Sequence, residues 1–159
     1  MAQGTYDTAQ VCLNGHRITG SYHSSPQFRM DYCTECGAKT IHACPECGTE
    51  IRGYYRGGAI GGSPPPVPSF CHGCGEAYPW TRSAVEAARE LIADADALTE
   101  EERNQLSASL DDLVRDSART QVAAGRFKRL AAKAGVEIAS GLKSILISVA
   151  TETAKQAIW

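Results

Sequence analysis

The sequence predicts a small α+β protein, in which an N-terminal half of short antiparallel hairpins precedes an all-helical half of about four helices. Two observations lead to this prediction. All seven cysteines of the 159-residue chain lie between Cys12 and Cys74, whereas apolar residues after Thr81 recur at helical spacing. We therefore predict two domains, a cysteine-rich module at 1–80 and a helical region at 81–159.

The cysteines fall into four knuckles whose spacing is typical of metal ligands. The first knuckle is Cys-x-x-x-His, and the other three are Cys-x-x-Cys pairs followed directly by glycine. Such a glycine lets the backbone turn tightly, so that N–H groups point at the sulfurs. Seven thiolates and one imidazole complete two tetrahedral sites. The sequence therefore predicts two structural Zn²⁺ ions.

Two ways of sharing these ligands are open. Sequential pairing gives a tandem zinc ribbon, with Cys12, His16, Cys33 and Cys36 at the first zinc and Cys44, Cys47, Cys71 and Cys74 at the second. Interleaved pairing, first knuckle with third and second with fourth, gives a cross-brace as in RING domains. The segment 38–43 spans roughly 20 Å if it is extended, which would separate the second and third knuckles. This separation favours the sequential pairing.

Local patterns predict the connections between the knuckles. Residues 8–20 read as a hairpin with Asn14-Gly15 as its turn, and 28–32 reads as a short strand. The glycine- and proline-rich range 53–68 reads as a long exposed loop. The candidate contact residues of this loop are Tyr54, Tyr55 and Arg56, because aromatic residues and arginine dominate binding hot spots. Alternatively, these tyrosines cover a small ribbon core.

Several motifs together resemble a bacterial zinc-ribbon family known as a domain of unknown function. They include Cys-x-Asn-Gly-His-x-Ile-Thr at 12–19, Tyr-Cys-x-x-Cys-Gly-Ala-Lys-Thr-Ile at 32–41 and Phe-Cys-His-x-Cys-Gly-x-x-Tyr-Pro-Trp-Thr at 70–81. The resemblance covers about the first 82 residues. It implies a prokaryotic source and a zinc-ribbon fold, and it brings no established activity.

Four helices are predicted after the knuckles. The first spans about 83–95, with Thr81 or Ser83 as its N-cap, and the second follows a Thr-Glu-Glu-Glu capping box at 99–102. The third spans about 119–134, and the last spans 136–158. The apolar face of the last helix is formed by Ile138, Leu142, Ile145, Leu146 and Val149.

This last helix has three possible roles. It packs inside a helical bundle, it forms a homo-oligomer through a short a/d-like seam, or it lies on a membrane surface. Membrane binding is disfavoured because the polar face is rich in serine and poor in lysine.

Basic residues concentrate in the range 119–133, where Arg126, Arg129 and Lys133 share one helical face. This face is either a nucleic-acid contact or the partner of the acidic helices. The formal charge of the chain is −2, and it becomes about −5 once two zinc ions and seven thiolates are included. A net negative charge disfavours nucleic-acid binding through the field of the whole protein.

Few features of the sequence point to catalysis. The eight best ligands close two zinc sites completely, whereas a catalytic zinc keeps one position open. His23, His42 and His72 are left over, and the glycine run at 57–62 lacks the Lys-Ser/Thr of a phosphate loop. We therefore expect that the protein is not an enzyme.

The leading hypothesis is an adaptor or scaffold that binds a protein partner and assembles through its helical tail. The alternative is a nucleic-acid-binding protein that uses its hairpins and the basic 119–133 helix. The sequence shows no secretory signal and no apolar run of about 20 residues, so we expect a cytoplasmic location.

Overall fold

The computed structural model describes residues 4–57 and 65–159. It divides the chain into two units, Met1–Trp80 and Thr81–Trp159. Short antiparallel strands lie in the first unit and helices dominate the second, so the predicted small α+β class is confirmed.

The described part of the first unit contains two small antiparallel sheets. Its strands are β1 (Thr5–Thr8), β2 (Gln10–Cys12), β3 (Arg17–Thr19), β4 (Thr40–Ile41) and β5 (Arg52–Arg56). Strand β2 lies between β3 and β4, and β1 pairs with β5. The hairpin of β2 and β3 is the one predicted at 8–20, and its turn contains Gly15 at a φ of 91°, a value that favours glycine.

The three Cys-x-x-Cys knuckles repeat one backbone pattern. The N–H of the leading cysteine donates to the carbonyl five residues later, and the glycine N–H donates back to the leading cysteine. In the second knuckle these are Cys33 N to Ala38 O at 2.8 Å and Gly37 N to Cys33 O at 2.8 Å. The three glycines have φ values of 72° to 78°, which permit the tight turn. Each knuckle is therefore a small rigid hairpin.

Two predictions about the connections are wrong. Residues 28–32 do not form a strand. Pro26–Phe28 is a 3₁₀ turn, and the backbone N–H and carbonyl of Met30 form hydrogen bonds with the Gln10 side chain and not with a neighbouring strand. The Gln10 amide donates to Met30 O at 2.7 Å and accepts from Met30 N at 3.1 Å.

The start of the predicted 53–68 loop belongs to a strand. Tyr54, Tyr55 and Arg56 lie in β5, where Tyr55 pairs with Tyr6 and Arg56 with Thr5. The sequence reading missed this strand because its partner, β1, lies far away in the chain. The residues 58–64 of the predicted loop lie outside the described residues.

Five α-helices lie between residue 79 and the C-terminus, a range that the structure describes in full. They are α1 (Pro79–Ala93), α2 (Glu100–Leu113), α3 (Thr120–Ala134), α4 (Val136–Leu146) and α5 (Glu152–Ile158). The capping box of α2 is confirmed, since the Thr99 hydroxyl accepts from Glu102 N and the Glu102 carboxylate accepts from Thr99 N. Leu106, Leu110 and Leu113 of α2 are fully buried.

The first helix begins about four residues earlier than the predicted start at residue 83. It starts at Pro79, a residue whose fixed φ suits the first helical position, and Thr81 is a buried side chain inside it. The predicted N-caps at Thr81 and Ser83 are therefore wrong.

The continuous helix predicted at 136–158 is also wrong. The chain leaves the helix after Leu146, and Thr151 N donates to Leu113 O at 3.0 Å. The Thr151 hydroxyl then accepts from Ala154 N at 3.1 Å and caps α5. This tertiary hydrogen bond and the new cap replace the backbone bonds that a continuous helix would have.

The apolar face of the last two helices is largely covered within the helical unit. Leu142, Leu146 and Val149 are buried, while Ile138 and Ile145 are half-buried. This burial favours packing within the bundle over the other two roles. Among the described residues, the structure has no helix with the length and apolar character needed to cross a membrane.

Candidate metal centres

The first candidate centre, called site 1, brings together the first two knuckles. Its ligand atoms come from Cys12, His16, Cys33 and Cys36, and all four lie within 4.8 Å of one another. The Cys12 Sγ lies 3.7 Å from Cys36 Sγ and 3.5 Å from His16 Nδ1. The Cys33 Sγ lies 3.7 Å from the same Nδ1. The imidazole therefore presents its Nδ1 to the centre.

The second candidate centre, called site 2, is formed by the third and fourth knuckles. Cys44, Cys47, Cys71 and Cys74 place their sulfurs within 4.8 Å of one another. Cys44 lies 3.8 Å from Cys74, and Cys47 lies 3.7 Å from Cys71. The grouping is sequential, and the interleaved cross-brace is not the arrangement observed.

The separations fit tetrahedral metal coordination. A metal with bonds of about 2.3 Å to sulfur places two thiolates about 3.8 Å apart at the tetrahedral angle. The observed sulfur–sulfur distances of 3.7 and 3.8 Å match that value and exceed the roughly 2.05 Å of a disulfide bond. Each site thus offers four donors arranged around one ion-sized centre.

Donors around Cys36 and Cys71 favour the thiolate form that a metal requires, whereas burial raises the pKa of Cys12 and the pKa of Cys74 is also raised. The backbone N–H of Ala38 and the amide of Asn14 lower the pKa of Cys36 to about 6. The Asn14 Nδ2 lies 3.3 Å from that sulfur. Burial raises the pKa of Cys71, but the N–H groups of Cys74 and Gly73 outweigh it and lower the value to about 6.

A polar side chain lies beside each site. In site 1, His16 Nε2 faces a carboxylate oxygen of Glu35 at 3.4 Å, so Nδ1 is left for the metal. In site 2, burial raises the pKa of Tyr78, and the negative sulfur of Cys71 adds to the rise. Sequence reasoning missed Glu35, although its position between Cys33 and Cys36 was a signal.

The three remaining histidines lie outside both sites. His23 Nε2 contacts a Glu50 oxygen at 2.7 Å, and His42 stacks on Tyr22 with ring centroids 4.3 Å apart. His72 is exposed between the two cysteines of the fourth knuckle. In the two groups of ligand atoms found among the described residues, these histidines take no part.

The three predicted contact residues of β5 do not form one cluster. Tyr54 packs against Gly20, whereas Tyr55 packs against Tyr6, with ring centroids 5.1 Å apart. Arg56 Nε lies 3.6 Å from the buried carboxylate of Asp7. Because neighbouring residues of a strand face opposite sides, the two tyrosines belong to different surfaces.

The basic face of α3 is only partly neutralised. Lys133 Nζ lies 2.6 Å from Glu102, and Arg119 Nε lies 3.0 Å from Asp112, so α3 does pack against the acidic α2. Arg126 and Arg129 make no ion pair with the described residues. The prediction that the basic helix lies against the acidic helices therefore holds for Arg119 and Lys133, near the two ends of α3.

The fold and both ligand groups define a small α+β protein with two candidate structural metal sites. A family described as "Uncharacterized protein conserved in bacteria (DUF2321)" matches residues 5–158, and the chain belongs to this family. The predicted resemblance to an uncharacterised bacterial family is confirmed, and it extends through the helical half. Comparison with curated proteins and with solved structures gave no match.

Proposed function

We propose that this protein is a non-catalytic adaptor whose first unit is held by two zinc ions and binds a protein partner. Three thiolates with one imidazole, and four thiolates, are donor sets typical of zinc. Each set supplies four protein ligands, as structural zinc sites do, and leaves no position for substrate. The metals would then hold the shape of a binding surface.

One observation carries the proposal, and it is the exposure of large side chains on the first unit. Aromatic residues and methionine are enriched in protein interfaces. The exposed residues of this kind are Tyr6, Phe28, Met30, Tyr32, Tyr54 and Tyr55. Phe28 is 56% exposed and Tyr32 is 63% exposed, although the unit has few large apolar groups in its core. Of these residues, Phe28, Met30 and Tyr54 line one concave surface, and an exposed apolar patch of this kind fits a partner.

Affinity purification with reconstitution tests the proposal. The zinc-loaded full chain serves as bait in a nuclease-treated extract of the source bacterium, and captured proteins are then purified separately. We expect one of them to bind the purified chain in 0.5 M salt, and to lose binding when Cys33→Ser disrupts site 1. Failure of every captured protein to bind in the reconstituted assay would contradict the adaptor function.

The second candidate function is nucleic-acid binding through α3. Arg126 and Arg129 favour it, because they lack an ion-pair partner among the described residues. Fluorescence anisotropy with a labelled duplex should then show an affinity that falls steeply with log salt. The double variant Arg126→Ala/Arg129→Ala should flatten that slope by roughly 2.

A matched control is available for this alternative. Lys133 shares the face of Arg126 and Arg129 but is paired with Glu102. The variant Lys133→Ala should therefore change the salt slope less than the loss of either arginine. Absence of any binding to DNA or RNA at low salt would exclude the nucleic-acid function.

A further inference from the structure

A groove on the first unit combines apolar walls with an unsatisfied basic group. It has a volume of about 330 Å³, and its lining includes Arg17, Ile18, Gly20, Phe28, Met30 and Tyr54. We call it the Tyr54 groove. Its volume lies at the low end of ligand pockets, which are about 300–1,000 Å³, so it has room for peptide side chains.

The apolar part of the groove is open to solvent. Phe28 is 56% exposed, Met30 is 43% exposed and Tyr54 is 37% exposed. Tyr54 is held in place, because its N–H donates to Gly20 O at 2.8 Å and its ring lies against that glycine. A β-carbon at Gly20 would lie 2.7 Å from the ring, so the close approach requires glycine. One wall of the groove is therefore preformed.

The basic part of the groove is Arg17. Its Nη2 donates to the carbonyl of Pro65, while its buried Nε has no hydrogen-bond partner in the described part of the chain. No carboxylate of the described residues forms an ion pair with Arg17. Buried N–H groups are normally satisfied, and a guanidinium pairs best with a carboxylate.

From these contacts we infer that the Tyr54 groove binds a peptide segment with a large apolar side chain next to an acidic residue. The apolar side chain packs between Phe28, Met30 and Tyr54, and the carboxylate pairs with the half-buried guanidinium of Arg17 through an N–H other than the buried Nε. This inference rests on the proposed adaptor function and names the chemistry of the partner. Nucleic acid fits less well, because Ile18, Phe28 and Met30 are apolar and the groove lining contains one cation, Arg17.

Peptide titrations of the isotope-labelled, zinc-loaded full chain test the inference by NMR. The probe is acetyl-Glu-Leu-Phe-Glu-amide, and its neutral counterpart is acetyl-Gln-Leu-Phe-Gln-amide. We expect saturable shifts of the amides at 17–21, 28–30 and 54, and about tenfold weaker binding of the neutral peptide. Equal binding of both peptides, or shifts confined to other regions, would overturn the inference.

Variants at exposed positions separate the groove from a general apolar effect. Phe28→Ala and Met30→Ala should each weaken binding of the acidic peptide at least fivefold, without loss of the dispersed spectrum. Tyr32→Ala is the matched control, because Tyr32 is 63% exposed and does not line the groove. A loss of binding in Tyr32→Ala as large as in Phe28→Ala would contradict the assignment.

Two outcomes distinguish this inference from the adaptor function. If the acidic peptide fails to bind while a reconstituted protein partner binds elsewhere, the groove assignment is wrong and the adaptor function stands. If an oligothymidylate produces the groove shifts and the peptide does not, the site belongs to a nucleic-acid binder and both proposals are wrong.

Discussion

The two units of the chain are stabilised by different means. The largest fully buried side chains of the first unit, among the described residues, are Val11, Ile51 and Tyr78. The second unit buries many more, and they include Ile92, Leu106, Leu110, Leu113, Phe127, Leu142 and Leu146. A small core rarely stabilises a domain alone, so we expect the first unit to depend on metal ions held by its eight candidate ligands. The second unit depends on apolar burial.

This difference explains why the exposed aromatic residues are tolerated. A unit whose shape is set by metal ligation does not need its large side chains inside. It can present Phe28, Met30 and Tyr54 at the surface and still fold. In the helical unit the same side chains would be needed for the core.

Loss of a metal ligand is expected to have the largest effect among the tests of this difference between the two units. The variant Cys33→Ser should lose the ion of site 1 and unfold much of the first unit, because metal affinity in small sites is folding free energy of about 10–16 kcal/mol. Far-UV circular dichroism should retain most of the helical signal. Thr34→Ser, at the exposed neighbouring position, should change neither signal nor metal content. An unaltered NMR spectrum of the first unit in Cys33→Ser would contradict this account.

A core substitution in the helical unit gives the reverse pattern. Leu110→Ala removes a fully buried side chain and should lower the free energy of unfolding of that unit by about 2–5 kcal/mol. The metal content should stay the same. Val122→Ala, at a site that is 61% exposed, should change stability by less than about 0.5 kcal/mol. Release of metal in Leu110→Ala would show that the two units are not stabilised independently.

A buried carboxylate adds a smaller contribution to the first unit. Burial raises the pKa of Asp7, but hydrogen bonds from the Ser24 hydroxyl and the N–H groups of Thr8, His23 and Ser24 outweigh it and lower the pKa to about 2. Because folding depresses this pKa, the stabilisation is complete above the usual value of 3.8 and is lost as the pH falls through 2.

At pH 7 the ionised Asp7 therefore makes its full contribution to the free energy of unfolding of the first unit. Asp7→Asn should lower the free energy of unfolding of the first unit by about 1–3 kcal/mol in denaturant titrations. Asp31→Asn is the matched control at an exposed position and should have almost no effect. Equal destabilisation by the two variants would rule out a special role for Asp7.

The smallest expected effect is a change in metal affinity at site 1, the candidate site that contains a histidine. Glu35→Gln removes the carboxylate that faces His16 and should weaken metal binding at site 1 about 3- to 10-fold in chelator competition. Glu46 occupies the same place in the third knuckle, whose site contains no histidine. If Glu46→Gln weakens binding as much as Glu35→Gln, the contact with His16 is not the cause.

The sequence predicted features that depend on neighbouring residues better than those that depend on distant ones. The Gly15 turn and the capping box at Thr99 follow from local backbone chemistry, and both are present. The spacing of the knuckles also favoured the observed sequential grouping. By contrast, the sequence predicts a loop where β5 lies, because its partner β1 is more than forty residues away.

Other features were hidden because a tertiary contact decides them. The Gln10 side chain forms hydrogen bonds with the backbone of Met30, and the carbonyl of Leu113 accepts a hydrogen bond from the N–H of Thr151. Neither contact leaves a local signal such as Gly or Pro. The Tyr54 groove was hidden for the same reason, since it joins β3, the 28–30 segment and β5.

Native mass spectrometry of the purified full chain tests the central claim most directly. If two four-ligand sites hold the first unit, the mass should exceed that of the polypeptide by two metal ions, which elemental analysis should identify as zinc. A chain that remains folded with one metal ion or none would contradict it.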